Sequence, residues 1–315
     1  MTTNQKVSGL NPDAVTKRTY RSLFFYDQHM KLLTKRHIHT LLKPRRANSH
    51  KGDHGHALII AGDKGRMGAA VIASRACLRT GAGLLSVNVP QGERMILQIR
   101  IPEAMLMMRE ETDYDFSGFS ALAVGPAFGT EKESFNILTK IITVCKIPFL
   151  LDADALNILS VNKDFFDQIP AGTILTPHPK EFDRLFGAHK NEEERRITAI
   201  KYAKEKNIVI VLKGHHTLIT SGESSFLNTT GNSGLAKGGS GDALTGIITS
   251  FLAQGYESFN AAKLGVYIHG LAANIALKKQ SPESMLITDV IECLGAAFKK
   301  ISVMQTIPFS ATPLL

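Results

Sequence analysis

A glycine-rich stretch in the last third of this 315-residue chain is its strongest chemical feature. It reads NTTGNSGLAKGGSGD from Asn228 to Asp242 and leads into an apolar segment. Gly238, Gly239 and Gly241 allow the backbone to approach a ligand closely and to turn its N–H groups toward it. A helix that starts near Asp242 adds the positive end of its dipole, so the stretch predicts a site for a phosphate or a moving phosphoryl group.

The carboxylate of Asp242 has two interpretations. An Asp at a helix start is a frequent N-cap, so a glycine turn followed by a capping Asp is the purely structural alternative. The glycine density before Asp242 exceeds what a cap requires. We therefore favour a functional role for this stretch over a cap alone.

Two shorter loops also carry polar side chains at predicted strand ends. In Thr176–Glu181 (TPHPKE), prolines flank His178 and stiffen the turn, and Glu181 opens a helix. A rigid turn with a surface His and an acidic helix start is the structural alternative. The segment Lys213–Thr217 (KGHHT) joins two predicted strands and on its own indicates only a hairpin.

Several common motifs are missing from the sequence. It has no GxxxxGK[ST], which excludes a P-loop NTPase. Gly62, Gly65 and Gly68 follow a strand and open a helix, but their GxxGxxG spacing differs from the dinucleotide fingerprint GxGxxG. The eleven histidines are scattered and form no recognisable metal-ligand cluster.

Strand and helix patterns alternate from residue 57 onward. The predicted strands are 57–61, 84–89, 121–124, 148–151, 173–175, 208–212 and 217–220. The predicted helices are 68–80, 131–144, 242–254, 260–278 and 288–300, with a short helix upstream at 31–42. This alternation predicts an α/β fold with a mostly parallel central sheet and helices on both faces, in which ligands bind beyond the carboxyl ends of the strands.

The net charge of +9 is concentrated at the start of the chain. Residues 1–51 hold eleven Lys and Arg against two Asp, so the remainder is neutral. We predict a basic leader over 1–45, one catalytic domain over 46–305 and a tail over 306–315. A solvated leader is favoured over a transit peptide or a nucleic-acid-binding arm, because no aromatic platform or recognition helix accompanies the charge. Removing residues 1–30 should then leave activity nearly intact.

The three cysteines, Cys77, Cys145 and Cys293, are widely spaced and form no CxxC pair. They predict free thiols in a reducing compartment, and we expect a cytoplasmic protein. No secretory signal is recognisable, and the apolar runs are too short to span a bilayer. We expect neither a membrane nor a nucleic acid as partner.

Five segments, taken together, resemble the ADP-dependent NAD(P)H-hydrate dehydratases of the ribokinase-like superfamily. In chain order they are SHKGDHGHALIIAGDKGRMGAA (49–70), LLDADALNILS (150–160), LTPHPKEF (175–182), VLKGHHTLI (211–219) and NTTGNSGLAKGGSGDALTG (228–246). The match covers about residues 45–300 in the family's order. One departure is Gly125–Gly129 (GPAFG), where Ala127 replaces a glycine of the family's usual GPGLG loop.

The resemblance implies a ribokinase-like fold and a set of site residues. It places Ala70, Gly129 and His178 against the hydrated nicotinamide nucleotide, and Asp242 against its hydroxyl as the catalytic carboxylate. It assigns the adenine nucleotide to the KGHHT hairpin and the glycine turn, that is, to Lys213, Gly214, His215, His216, Thr217, Gly238, Gly239 and Gly241. Glu181 stands where sugar kinases of the superfamily use an acidic residue near Mg²⁺.

The implied reaction is the nucleotide-dependent dehydration of S-epimer NADHX or NADPHX, with ADP as co-substrate and Mg²⁺ as cofactor. Many relatives carry an NAD(P)HX epimerase domain ahead of this one; here we expect that partner on a separate chain, and we expect a homo-oligomer. Two alternatives stay open: a small-molecule kinase of the same superfamily acting on a vitamin-precursor alcohol, and a non-catalytic nucleotide- or RNA-binding protein.

Overall fold

The computed structural model describes residues 30–111 and 115–302, which form one ten-stranded sheet with helices on both faces. The strands are β1 (Met30–Leu32), β2 (His56–Ile60), β3 (Leu84–Val89), β4 (Met105–Met108), β5 (Ala121–Val124), β6 (Phe149–Leu151), β7 (Ile174–Leu175), β8 (Val209–Leu212), β9 (Thr217–Thr220) and β10 (Ser225–Asn228).

The helices of the described residues occupy both faces of this sheet. They are α1 (Lys35–Leu41), α2 (Gly68–Thr80), α3 (Arg94–Arg100), α4 (Lys132–Val144), α5 (Ala153–Val161), α6 (Lys163–Phe166), α7 (Pro179–Phe186), α8 (Glu192–Lys206), α9 (Ser240–Ala253), α10 (Ser258–Ala276), α11 (Ile287–Glu292) and α12 (Leu294–Ser302).

The strand order is β1-β10-β9-β8-β7-β6-β5-β2-β3-β4. Every neighbouring pair is parallel except the two pairs that involve β9. The carboxyl ends of β2, β5, β6, β7 and β8 therefore meet at one edge of the sheet. The turn between antiparallel β8 and β9 lies at this edge too, which brings all the loops singled out from the sequence to the same side of the molecule.

The continuous apolar runs of the central strands reflect burial on both faces. In β2, Ile59 packs in the core with α2, α9 and α10, whereas Leu58 and Ile60 pack in the opposite core with α4, α5 and α7. All three side chains are fully buried. The predicted α/β class with a mostly parallel sheet is thus confirmed.

Helix α9 is the most deeply packed helix of the first core and follows the glycine-rich stretch. Its residues from Ala243 to Ala253 are all buried. It crosses α2 so closely that a methyl group added at Gly246 would lie 2.0 Å from the carbonyl oxygen of Ala73. Glycine is required at this crossing, and the close packing fixes where the first turn of α9 stands relative to the sheet.

The seven predicted strands are present with bounds within one residue, and the long helices are displaced by at most two residues. The predicted helix over 288–300 is two helices, α11 and α12. The sequence patterns missed the edge strands β1 and β4, the short strand β10 beside β1, and several helices, including α5 and α8. Among the described residues, no helix has both the length and the apolar character needed to cross a bilayer.

The start of the described chain joins the sheet, which differs from a leader that ends at residue 45. Residues 30–32 form a strand, β1, parallel to β10, and helix α1 covers residues 35–41. Leu33 and Ile38 are buried in the first core. The Lys43 backbone N–H donates a 2.8 Å hydrogen bond to the Tyr256 hydroxyl. A polar, basic composition obscured these few apolar contacts, and the predicted helix over 31–42 is a strand followed by a shorter helix.

The loop after β5, Gly125–Gly129, is tied to the loop after β6. The Asp154 N–H donates to the Gly125 carbonyl at 3.2 Å, and the Gly129 N–H donates to Asp154 Oδ2 at 2.9 Å. Ala127 lies in this loop with φ of 49°, in the left-handed region that favours glycine. The alanine that departs from the family's glycine therefore occupies a strained backbone position.

We expect removal of residues 1–29 to leave the thermal unfolding midpoint unchanged, and removal of residues 1–42 to lower it markedly. The longer truncation deletes β1 and α1, together with the burial of Leu33 and Ile38, which contributes about 1.5–3 kcal/mol for each side chain. Calorimetry of the two truncated proteins beside the full chain measures the difference. Equal stability of both truncations would contradict a structural role for residues 30–42.

We expect Ala127→Gly to stabilise the protein by up to about 1 kcal/mol. Relief of the left-handed strain, about 1–2 kcal/mol, outweighs the larger conformational entropy of glycine in the unfolded chain. Urea unfolding measures the change. Ala104→Gly, at a loop position with ordinary negative φ, is the matched control and should destabilise by about 0.5–1 kcal/mol. A similar loss in both variants would show that the φ of Ala127 carries no strain.

Candidate active site

The glycine turn ends in the first turn of α9. Gly239 has φ of 91°, a conformation that glycine adopts without strain, and it immediately precedes the helix. Gly241 and Asp242 lie in the first turn, where backbone N–H groups have no acceptor within the helix. With the helix dipole, these N–H groups form an electropositive end at the sheet edge.

A buried carboxylate, Asp152, lies beside this helix start. Asp152 follows β6 directly and is 1% exposed. Its Oδ1 accepts a 2.8 Å hydrogen bond from Lys213 Nζ, and its Oδ2 accepts one of 2.8 Å from Thr245 Oγ1. A methyl group added at Gly241 would lie 3.4 Å from Lys213 Nζ and 3.6 Å from Asp152 Oδ2. The ion pair therefore packs against the first turn of α9.

Lys213 is the cation among three carboxylates. Its Nζ is 2.8 Å from Asp152 Oδ1 and 3.9 Å from Glu181 Oε2. Burial lowers the pKa of Lys213, but attraction to Asp152, then to Glu181 and Asp242, outweighs burial, and the pKa is raised overall. The side chain is largely buried, and the attraction of these carboxylates keeps the ammonium charged.

The loop after β7 presents His178 and Glu181 as a capping box at the start of α7. His178 Nδ1 accepts from the N–H groups of Lys180 and Glu181, and Glu181 Oε2 accepts from the His178 N–H at 2.8 Å. The Lys213 N–H donates to the Pro177 carbonyl at 2.9 Å, which joins this loop to the hairpin after β8. The structural alternative for this loop is thus present, and it also fixes Glu181 beside Lys213.

The imidazole of His178 is neutral in this arrangement. Burial is the main cause that lowers the pKa of His178, and attraction to Glu181 raises it. Repulsion from Lys213 and Arg184 lowers the pKa further, whereas Asp152 raises it. Since Nδ1 accepts hydrogen bonds, the proton resides on Nε2, which is 3.3 Å from Glu181 Oε1. The side chain is 44% exposed, so one face of the ring is open to a ligand.

Asp242 has the properties of a proton acceptor that works near neutral pH. Burial, followed by repulsion from Asp152, raises its pKa to about 6; Lys213 lowers it and Asp154 raises it further. A carboxylate with this pKa is ionised at pH 7 yet more basic than an exposed aspartate, as general-base catalysis requires. It lies at the electropositive start of α9.

The remaining predicted nucleotide contacts lie on the β8–β9 hairpin and in the glycine turn. Gly214, His215 and His216 form the exposed tip of the β8–β9 hairpin, and the two imidazole rings lie 4.4 Å apart. Thr217 begins β9, with its hydroxyl 3.4 Å from the Gly214 carbonyl. Gly238 is exposed just before the turn of Gly239. These positions are open to a ligand, whereas Lys213 points inward to the carboxylates.

Two predicted substrate contacts lie on the loops after β2 and β5. Ala70 is in the first turn of α2 and is fully buried. Gly129 is bonded to Asp154, whose Oδ2 also lies 3.8 Å from Arg66 Nη1. The structure therefore brings Asp242, Lys213, Glu181 and Gly241 together, whereas Ala70 lies at the start of α2 and Gly129 on the loop after β5, at the same sheet edge.

The acidic side chains can serve Mg²⁺ without forming a closed metal cage. Among the residues described here, no group of three or more His, Cys, Asp or Glu is arranged to hold a metal ion. Mg²⁺ in nucleotide sites commonly uses one or two carboxylates together with phosphate oxygens and water. Glu181, a buried oxygen donor close to Lys213, fits that pattern.

The sequence patterns predicted no role for Asp152, Thr245 or Arg109. Arg109 is buried beside the substrate loop and donates to the Ala61 carbonyl at 3.2 Å and to the Phe128 carbonyl at 3.5 Å. A sequence signal existed for Asp152, since an acidic residue directly after the buried run FLL marks a strand end in a parallel sheet. Thr245 carries no such signal, because it lies within an apolar helix.

Comparisons with known proteins identify the family of this chain. The model of the NAD(P)H-hydrate dehydratase family matches residues 57–295. The bifunctional NAD(P)H-hydrate repair enzyme Nnr of Moorella thermoacetica is 35% identical over 287 residues, which are 86% of this chain and 54% of that protein. The chain thus spans about half the length of such bifunctional relatives.

Two solved structures share the fold over most of this chain. The ADP/ATP-dependent NAD(P)H-hydrate dehydratase of Bacillus subtilis, co-crystallised with ATP and Mg²⁺, is 30% identical with a TM-score of 0.77, over 86% of this chain and 99% of that one. A ribokinase-like superfamily protein of Enterococcus faecalis is 28% identical with a TM-score of 0.78, over 87% of this chain and 96% of that one. With a family model that spans most of the domain, the chain belongs to the NAD(P)H-hydrate dehydratase family and has the ribokinase-like fold.

Proposed function

We propose that this protein dehydrates the S-epimer of NADHX or NADPHX to NADH or NADPH, with ADP as phosphoryl donor, and so repairs damaged nicotinamide nucleotides. The observation that carries the proposal is Asp242, a carboxylate with a pKa of about 6 in the first turn of α9, beside the Lys213 ammonium. A positive helix end, a fixed cation and a base are what phosphoryl transfer to a hydroxyl requires.

The first step is phosphorylation of the hydrate. Asp242 accepts the proton of the hydroxyl on the ring carbon next to nitrogen, and the hydroxyl oxygen attacks the terminal phosphorus of ADP. The bond from that phosphorus to the bridging oxygen breaks, and AMP leaves with the bond's electron pair. The N–H groups of the glycine turn and the Lys213 ammonium stabilise the charge that develops on the phosphoryl oxygens.

The second step is elimination of phosphate. Hydroxide is a poor leaving group, whereas phosphate is a good one. The lone pair of the ring nitrogen expels the phosphate, and loss of a proton from the neighbouring ring carbon restores the dihydronicotinamide. Over the two steps, the hydrate and ADP are converted to the dihydronicotinamide nucleotide, AMP and inorganic phosphate. The enzyme is therefore a lyase whose first step is a kinase step.

We assign the ligands to the two sides of this centre. The hairpin of Lys213, Gly214, His215, His216 and Thr217, with Gly238, Gly239 and Gly241, binds the adenine nucleotide. Ala70, Gly129 and His178 line the hydrate, with Asp242 at its hydroxyl. When Mg²⁺ is bound with the nucleotide, it supplies charge neutralisation at the phosphates, and Glu181 is its protein ligand.

We also propose a partner enzyme, an oligomeric state and a cellular compartment for this protein. The bifunctional relatives combine NAD(P)H-hydrate repair activities in one longer chain, so we propose that an NAD(P)HX epimerase on a separate chain supplies the S-epimer here. We also propose a homo-oligomeric assembly. The three cysteines are free thiols, which suits the reducing cytoplasm.

Purified protein should regenerate NADH from its hydrate with ADP and Mg²⁺, with a higher kcat/KM for ADP than for ATP. Dihydronicotinamide absorbance follows the reaction, and omission of nucleotide is the control. No NADH in the presence of folded protein would contradict the proposed function. A stable phosphorylated product in its place would favour a small-molecule kinase, and an ATP preference would overturn only the choice of donor.

Asp242→Asn should lower kcat at least about a hundredfold and change the dissociation constant of ADP little. The amide keeps the size of the side chain but cannot accept the hydroxyl proton. Nucleotide binding depends on backbone N–H groups and on the hairpin, which are unchanged. Calorimetric ADP binding and turnover of the same preparation give both values. Near-normal kcat would remove Asp242 from the base role and leave it a helix cap, since Asn caps about as well.

The same variant should be more heat-stable than the wild type at pH 8. Because the pKa of Asp242 is about 6 in the fold and about 3.9 in an unfolded chain, folding favours its protonated form. Its contribution to stability is present below about pH 4 and is lost as the pH rises through 6. The gain from Asp242→Asn should therefore be large at pH 8 and small at pH 4.5, as measured by melting curves.

A further inference from the structure

The buried carboxylate Asp152 has no part in the roles assigned so far, although it touches residues that do. It lies buried at the end of β6. A buried carboxylate is stable only if an opposite charge or hydrogen-bond donors compensate for its lost hydration. Both of its oxygens are engaged, one by the Lys213 ammonium and one by the Thr245 hydroxyl. It therefore has a fixed position between the hairpin after β8 and the helix α9.

We propose that Asp152 is a positioning residue for the proposed phosphoryl transfer: it holds the Lys213 ammonium beside the first turn of α9 and keeps it from pairing with Asp242. The proposal rests on the proposed function for the role of Asp242 as base. It assigns Asp152 no contact with the substrate or the nucleotide.

Asp152 is attached to α9, the helix that carries Asp242. Thr245 stands three residues after Asp242 and so lies on the same side of the helix. The Thr245 hydroxyl and the Lys213 ammonium both donate hydrogen bonds to the Asp152 carboxylate. Asp152 therefore fixes the position of the ammonium relative to the helix that carries the base. Lysine has a long flexible side chain, and a fixed anion limits where its charge can be.

The carboxylates around Lys213 compete for its ammonium. Lys213 forms ion pairs with Asp152 at 2.8 Å and with Glu181 at 3.9 Å, whereas Asp242 attracts it over a longer distance. Without the negative charge of Asp152, the ammonium would be free to move toward Asp242. An ion pair there would stabilise the ionised carboxylate and weaken it as a proton acceptor.

The charged groups that shift the pKa of Asp242 are Asp152, Lys213 and Asp154. Because Asp152 and Lys213 have opposite charges, their removal should shift this pKa in opposite directions. Asp152→Asn removes a negative charge and releases Lys213, and both effects lower the pKa of Asp242. Lys213→Met removes the attracting cation and raises that pKa. Both shifts follow from charge, and the kcat of the same variants tests whether the held position of Lys213 matters for turnover.

The experiment measures the ionisation of Asp242 directly and in the absence of substrate. Carboxylate NMR of protein labelled with ¹³C-aspartate, with the Asp242 signal assigned by its loss in Asp242→Asn, gives the pKa in each variant. We expect the pKa to fall in Asp152→Asn and to rise in Lys213→Met. Asp164→Asn removes an exposed carboxylate on α6 and is the control, with no shift expected.

Turnover of the same variants gives the second readout. Asp152→Asn should lower kcat by about a hundredfold, as expected for a misplaced catalytic environment, while the KM for the hydrate changes little. The acidic limb of its pH profile should move to lower pH. The effects of Asp152→Asn and Lys213→Met on kcat should not add in the double variant, because both remove the same held cation.

Substitutions at Thr245 test the same positioning role if the Asp152→Asn variant does not fold. Thr245→Ser keeps the hydroxyl donor to Asp152, and Thr245→Val keeps the shape without it. We expect normal kcat and an unchanged pKa of Asp242 in the Ser variant. The Val variant should show reduced kcat.

Several results would overturn the positioning role. They are an unchanged pKa of Asp242 in Asp152→Asn, a rise of that pKa, and equal activity of the Ser and Val variants at Thr245. Because the NMR titration needs no substrate, these results are distinct from failure of the proposed function, in which the wild type does not regenerate NADH.

Discussion

The contact between the Lys213 ammonium and the carboxylate of Asp152 joins the parts of this molecule that must stay in register. Parallel strands bring their carboxyl ends to one edge, and in this fold that edge gathers Asp152, Glu181 and, from the helix start, Asp242. Like charges in a partly buried cleft repel one another, and Lys213 offsets that repulsion. Its ion pair connects the β8–β9 hairpin to the central strand β6 and, through Thr245, to α9.

Helix α9 transmits the packing of the core to the site. It is buried along almost its whole length, and its close crossing with α2 at Gly246 leaves it no freedom to shift. The position of Asp242 and of the first-turn N–H groups is therefore determined by apolar contacts far from the polar cleft. An electropositive helix end held by a rigid core can stabilise developing negative charge without reorganising during the reaction.

The site keeps features that cost stability. Burial of Asp242 raises its pKa to about 6, so that ionisation at neutral pH is unfavourable for the fold. Ala127 holds a left-handed backbone conformation in the loop that Asp154 ties to β6. Such departures from local preference concentrate where function requires a particular charge or loop shape. The apolar contacts of the two cores offset them.

The amino-acid sequence by itself determined the α/β class, the central strands and the glycine turn, because buried strands and tight turns leave strong local patterns. It also yielded Asp242, Lys213, Glu181 and His178 as candidates. Tertiary structure decided what no local pattern encodes: that residues 30–42 complete the sheet, that His178 and Glu181 cap one helix, and that Asp152 and Thr245 bind across 93 residues of sequence. Ion pairs and hydrogen bonds depend on distances between side chains, and only the packing of distant elements sets those distances.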